Sequence, residues 1–134
     1  MKTLEEIESR LTELFSRYFQ KDVIAVVLFG SVPRNRVHDE SDIDVAVFIK
    51  PSIGREQRKQ LVFEIYERIP YYFIEPVDVV SLNDADLFLC KEILSKGKMV
   101  LRRDESGWKQ FRDARLIQWM DYRRSLQNYY PQIA

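Results

Sequence analysis

Five apolar positions, Leu4, Ile7, Leu11, Leu14 and Tyr18, recur at three- and four-residue steps near the start of the chain, with Glu-rich positions opposite them. A helix with one buried stripe has that period, so the spacing predicts a helix over 3–20. Thr3 followed by Glu6 has the spacing of a capping box. Asp22 breaks the rhythm. Residues 23–29, VIAVVLF, are then apolar without alternation, as a strand covered on both faces must be. Polar residues fill 32–41, where Pro33, Asn35 and Asp39 favour turns, and 43–49 reads as a second strand.

After Pro51-Ser52-Ile53-Gly54, a second helix is expected over 55–69, with Leu61, Ile65 and Ile69 on one face and Pro70 ending it. A third strand falls within 74–82. A third helix near 84–96 carries Leu87, Phe88, Ile93 and Leu94, with Gly97 placed as a C-terminal stop. Residues 99–102 suit a short edge strand, and 105–130 a long last helix. Helices alternating with nearly all-apolar strands imply an α/β sheet covered by helices. At 134 residues, a single domain over 1–134 is expected.

Apolar residues at 46% and charged residues at 31% describe a globular chain rather than a disordered one. No apolar run approaches the roughly 18 residues that suggest a membrane span. No basic start leads into an apolar signal region. A cytoplasmic protein without membrane association is therefore expected. Cys90 is the single cysteine, and its apolar setting, LFLC, suits a buried inert thiol. The net charge is zero but unevenly spread. Residues 1–90 hold 11 Lys and Arg against 16 Asp and Glu, while residues 91–134 hold 10 against 5. The basic tail suits a nucleotide, RNA or an acidic protein, or is simply a solvated helix face.

Candidate chemistry concentrates in GSVPRNRVHDESDIDVAVF. Gly30-Ser31 leaves the first strand, and Asp42 and Asp44 open the next. Alternate residues of a strand share a face, so the two carboxylates project together toward the turn. Carboxylates beside a phosphate-cradling turn are what metal-dependent phosphoryl or nucleotidyl transfer requires. Asp78, between Val77 and Val79, is a third candidate, because Asp is a poor strand residue and a buried carboxylate needs a partner or a metal. Alone it would equally serve as a structural acceptor for backbone hydrogen bonds. Three carboxylates on two strands repel one another unless cations neutralise them, and two magnesium ions would do so. Asp42 and Asp44 would then bind the ions that bridge nucleotide phosphates. Asp78 would hold the ion near the acceptor hydroxyl and help to remove its proton. Gly30 lets the backbone approach a phosphate, and the Ser31 hydroxyl and amide can donate to it. Arg34 and Arg36 are either phosphate contacts or merely solvated. His38 has no neighbouring His or Cys, so magnesium on oxygen ligands suits this chain better than zinc.

The closing segment interleaves Trp108, Phe111, Trp119, Tyr122, Leu126, Tyr129 and Tyr130 with Arg112, Arg115, Arg123 and Arg124. Aromatics and Arg are enriched at interface hot spots. Trp108, Phe111 and Trp119 are expected mostly in the core, and Tyr129-Tyr130 at a partner surface.

The pattern GS-x10-D-x-D with a third Asp on a later strand resembles the DNA polymerase β nucleotidyltransferase superfamily, and within it the small minimal nucleotidyltransferase (MNT) branch. The resemblance covers nearly the whole chain: the leading helix, LFGSVPRNRVHDESDIDVAVF, PVDVVSLNDADLFLCKEILSKGKMVLRRDE and the closing aromatic helix. Pro33 and Asn35 replace the usual alanine and glycine of GSxARG, leaving Arg34 in place. The resemblance implies a mixed β-sheet with flanking α-helices, a triphosphate turn at Gly30 and Ser31, a metal pair at Asp42 and Asp44, and a third carboxylate at Asp78. It further implies a type VII antitoxin that transfers AMP from ATP to a tyrosine hydroxyl of a cognate HEPN-family ribonuclease toxin, in a hetero-oligomeric complex. The rival expectations are an aminoglycoside-type transferase with a small-molecule acceptor, an antitoxin acting by binding alone, and an RNA acceptor.

Overall fold

The computed structural model describes residues 3–30 and 42–130. Its elements run α1 (Leu4–Arg17), β1 (Val23–Phe29), β2 (Ile43–Ile49), α2 (Arg55–Arg68), β3 (Val77–Ser81), α3 (Leu87–Lys96), β4 (Lys98–Arg102) and α4 (Glu105–Tyr129). Short 3-10 turns at Ile69–Tyr71 and Leu82–Asp84 precede β3 and α3. The strands form one mixed sheet in the order β3-β2-β1-β4. β1 is antiparallel to both β2 and β4, whereas β2 and β3 are parallel.

Both faces of the sheet are covered, as the unbroken apolar run of β1 requires. Val23, Val26 and Leu28 of β1 join Val45, Val47 and Ile49 of β2 in a core under α1 and α2, which contribute Ile7, Leu11, Leu14, Phe15, Leu61 and Ile65. Ala25 and Val27 join Ala46 and Phe48 in a second core beneath α3 and α4, with Cys90, Ile93 and Trp108. A bulge at Ile24, where β1 gains a residue against β2, sends Ile24 and Ala25 to the same side.

The helix boundaries have local causes. Thr3 caps α1 by accepting from the Glu6 amide at 3.2 Å. The helix stops at Arg17 rather than continuing to residue 20, because Phe19 takes a left-handed conformation (φ 63°) to turn the chain into β1. Arg103, just past β4, holds that turn. Its guanidinium donates to the carbonyls of Gln20 at 3.2 Å and Val23 at 2.9 Å, and also to those of Phe19 and Phe15. Gly97 ends α3 as expected, in an extended conformation (φ −74°, ψ 163°). Glycine is needed there for clearance: a Cβ would lie 2.5 Å from the Ile93 carbonyl oxygen and 2.6 Å from Val27 Cγ1.

β3 is an edge strand, so Val79 turns both its backbone groups away from β2. Tyr66 of α2 satisfies both with one hydroxyl, accepting from the Val79 amide at 2.7 Å and donating to its carbonyl at 3.2 Å. Among the described residues, no helix is long and apolar enough to cross a membrane.

Arg103→Ala removes charged donors from several carbonyls at once, and each such bond contributes on the order of 1.5–3 kcal/mol. Urea denaturation is expected to show a loss of about 2 kcal/mol or more at unchanged m. A loss below about 0.5 kcal/mol would show that water replaces the guanidinium without cost.

Candidate active site

The parallel pairing of β2 with β3 places Asp44 in register with Asp78. Partners in register project to the same face, and Asp42, one residue before β2, is near enough to add its charge to that at Asp44. The register is anchored just upstream, where the Ile43 amide donates to the Pro76 carbonyl at 3.1 Å. Farther along this face Ala46 and Phe48 are buried beneath α3 and α4. Asp44 is half-buried and Asp42 exposed, so the face opens to solvent at its aspartate end. Asp78 is also exposed. This corrects the expectation of a carboxylate buried between two valines: an edge strand leaves the Asp78 side solvated while Val77 and Val79 turn inward.

Gly30 closes the site from the antiparallel side. Phe29 pairs with Asp44, and Gly30 follows with φ +78°. A Cβ on Gly30 would lie 2.3 Å from Asp44 Oδ2, a distance that no side chain tolerates. The first role of this glycine is thus to let the Asp44 carboxylate lie against the backbone. Burial, then the neighbouring Asp78 and Asp42 carboxylates, push the Asp44 acid above the usual carboxylate range. Negative charge is compressed here, and a divalent cation would relieve it.

Among the described residues no group of three His, Cys, Asp or Glu is arranged as a ready-made metal cage. The donor set nevertheless fits magnesium, which favours hard oxygen ligands and binds through one or two carboxylates together with substrate phosphates. Ser31 and Arg34, with Arg36 and His38, lie outside the described residues. Sequence reading missed Tyr66, which fixes Val79 beside Asp78. A tyrosine on an otherwise ordinary amphipathic helix carries no local signal of that contact.

An apolar strand ending in glycine, a carboxylate packed against that glycine and an in-register carboxylate on the next parallel strand define the frame of a nucleotidyltransferase. The family model described as polymerase beta, nucleotidyltransferase matches residues 9–106, and the chain belongs to this family. Among individual proteins, it is 29% identical over 75 residues to the protein adenylyltransferase MntA of Shewanella oneidensis, across 56% of this chain and 51% of that protein. The chain thus spans about half the length of the curated relative it matches.

A chain in the crystal structure of a toxin–antitoxin with AMP-PNP aligns with a TM-score of 0.68 at 21% identity, over 94% of this chain and 97% of that one. A chain in the complex of tri-AMPylated Shewanella oneidensis HEPN toxin with MNT antitoxin aligns with a TM-score of 0.65 at 19% identity, over 98% of each. At these identities the likeness shows the shared fold.

Because the Asp44 acid is raised in the folded state, its ionisation opposes folding. Stability is expected to fall as pH rises from the unfolded carboxylate range through the folded value. Asp44→Asn removes that charge. In buffer free of divalent cations at pH 7, thermal melting should therefore rise for Asp44→Asn relative to the wild type. A lower melting temperature would mean that the carboxylate is stabilised by protein contacts instead.

Proposed function

We propose that this chain is a magnesium-dependent nucleotidyltransferase that transfers AMP from ATP to a tyrosine hydroxyl of a cognate HEPN-family toxin, and so acts as the antitoxin of a cytoplasmic type VII pair. The observation that carries the reading is the in-register Asp44–Asp78 pair with Gly30 packed against Asp44. The family to which the chain belongs and its similarity to an adenylyltransferase named MntA support the choice of chemistry and acceptor.

Asp42, Asp44 and Asp78 would hold two magnesium ions, and Gly30, Ser31 and Arg34 would receive the triphosphate. When bound, the ions neutralise developing phosphate charge and lower the barrier to in-line displacement. The acceptor oxygen attacks the α-phosphorus and forms the new P–O bond while the bond to pyrophosphate breaks. The tyrosine proton would pass to a base, a role that the exposure of the Asp78 carboxylate supports. The left-handed Gly30 would present backbone rather than a side chain to the phosphates. The half-buried setting of Asp44 keeps part of the site away from water, which strengthens its hold on a cation.

The test is intact-mass spectrometry of the toxin encoded beside this chain, after incubation with the chain, ATP and magnesium. One or more adenylyl additions are expected, with the rate falling about 100-fold or more for Asp44→Ala. A toxin that is bound and inhibited but never modified would establish silencing by occlusion. Adenylylation of small hydroxyl acceptors, with the toxin untouched, would establish the small-molecule transferase.

A further inference from the structure

Tyr66 belongs to α2, yet its hydroxyl completes the hydrogen bonding of β3. It accepts from the Val79 amide at 2.7 Å and donates to the Val79 carbonyl at 3.2 Å. The N–H and C=O of a strand residue point to the same side, and successive residues alternate. Val79 therefore faces outward from the sheet. Its neighbours Asp78 and Val80 turn their peptide groups toward β2, where their register partners are Asp44 and Ala46. An edge strand leaves alternate peptide groups without a ladder. Here one hydroxyl supplies both of the bonds that a further strand would make at Val79.

The hydroxyl is itself firmly held. Leu61 and Ile65 bury the middle of α2 in the core beneath the sheet. About two helical turns before Tyr66, Arg58 grips Asp84 through two bonds, of 2.9 and 2.6 Å. Ser81, the last residue of β3, donates to that same carboxylate at 2.7 Å. The start of α2 thus meets the end of β3, and the last turn of α2 meets its middle. The helix runs antiparallel along the sheet edge and ties the strand at two points, of which Tyr66 holds the one nearer the aspartates. It acts through the backbone, because Val79 turns its side chain into the α1–α2 core and Asp78, by alternation, turns to the opposite face.

We infer that Tyr66 is a positioning residue of the active site: by bridging Val79 it fixes the segment of β3 that carries Asp78, and so sets how that carboxylate is aligned with Asp44. The consequence for transfer rests on the functional reading above; the placement does not. In that reading Asp42 and Asp44 hold the metal at the nucleotide, and Asp78 serves the acceptor hydroxyl. Loosening β3 then slows the chemical step and leaves ATP binding alone. A misplacement of about 1 Å can cost on the order of 100-fold in rate.

Tyr66→Phe keeps the ring and deletes the bridge. Amide exchange followed by NMR reads the placement with no ligand present. The amides of Asp78, Val79 and Val80 are expected to exchange at least about 10-fold faster, relative to those of Val26 and Val27 in β1. Acceleration at Val79 alone, with Asp78 and Val80 at their wild-type ratios, would show that the hydroxyl serves one peptide group only and would overturn the inference. The kinetics of adenylyl transfer to the toxin read the consequence. For Tyr66→Phe, kcat is expected to fall about 10-fold with KM for ATP within about twofold. Thr3→Ala, which removes the cap of α1, controls for lost stability and should keep kcat within about twofold. A Tyr66→Phe protein with wild-type kcat, or a fall matched by Thr3→Ala, would refute the role in transfer. If the wild type never modifies the toxin, the functional reading falls, and exchange at Asp78 and Val80 still upholds or overturns the placement.

Discussion

The pairing of β2 with β3 is the contact on which the rest of this molecule turns. It holds the Asp44 and Asp78 carboxylates side by side on one face, with Asp42 two residues away, against their own repulsion. The sheet can impose that arrangement because it is buried on both faces elsewhere. Ala46 and Phe48 lie beneath α3 and α4, while Val45 and Val47 lie beneath α1 and α2. Apolar burial along β2 thus fixes the position of charge at its end. Tyr66 completes the frame at the sheet edge by replacing a missing strand at Val79, and Arg103 closes the opposite corner by tying the start of β1 to the end of α1.

Gly30 shows how closely fold and site are joined. Its left-handed backbone leaves β1, and the absence of a Cβ makes room for the Asp44 carboxylate. One residue therefore ends a strand and admits a half-buried acid. The raised Asp44 acid is the electrostatic cost of this arrangement, and a bound cation would offset it.

Much of this was legible in the chain because periodicity reports burial. The unbroken VIAVVLF run reads as a doubly covered strand, and it is one. Leu61, Ile65 and Ile69 read as one buried face, and all are buried. Asp42 and Asp44 read as neighbours from strand alternation, although β2 begins only at Ile43. The partnership of Asp44 with Asp78 was less accessible, since register across a parallel pair depends on a long connection and not on local sequence. For the same reason the edge position of β3, and with it the exposure of Asp78, was missed. Gly97 reads as the stop of α3 and is one, but the crowding by Val27 and Ile93 that requires a glycine there is tertiary and has no local signal. Trp119 was expected mostly in the core, yet it is half-buried between α3 and α4 with exposed apolar neighbours. An aromatic at helical spacing does not say which protein covers it.

In the function proposed above, these three carboxylates and the turn at Gly30 form one cation and nucleotide site. The most direct measurement is a crystal structure grown with manganese and a non-hydrolysable ATP analogue, with the metal located by its anomalous scattering. Manganese is expected on Asp42 and Asp44, with Asp78 within reach of the same centre and the triphosphate against Gly30. Metal and nucleotide seated elsewhere, or no ordered metal beside Asp44 at saturating analogue, would contradict it.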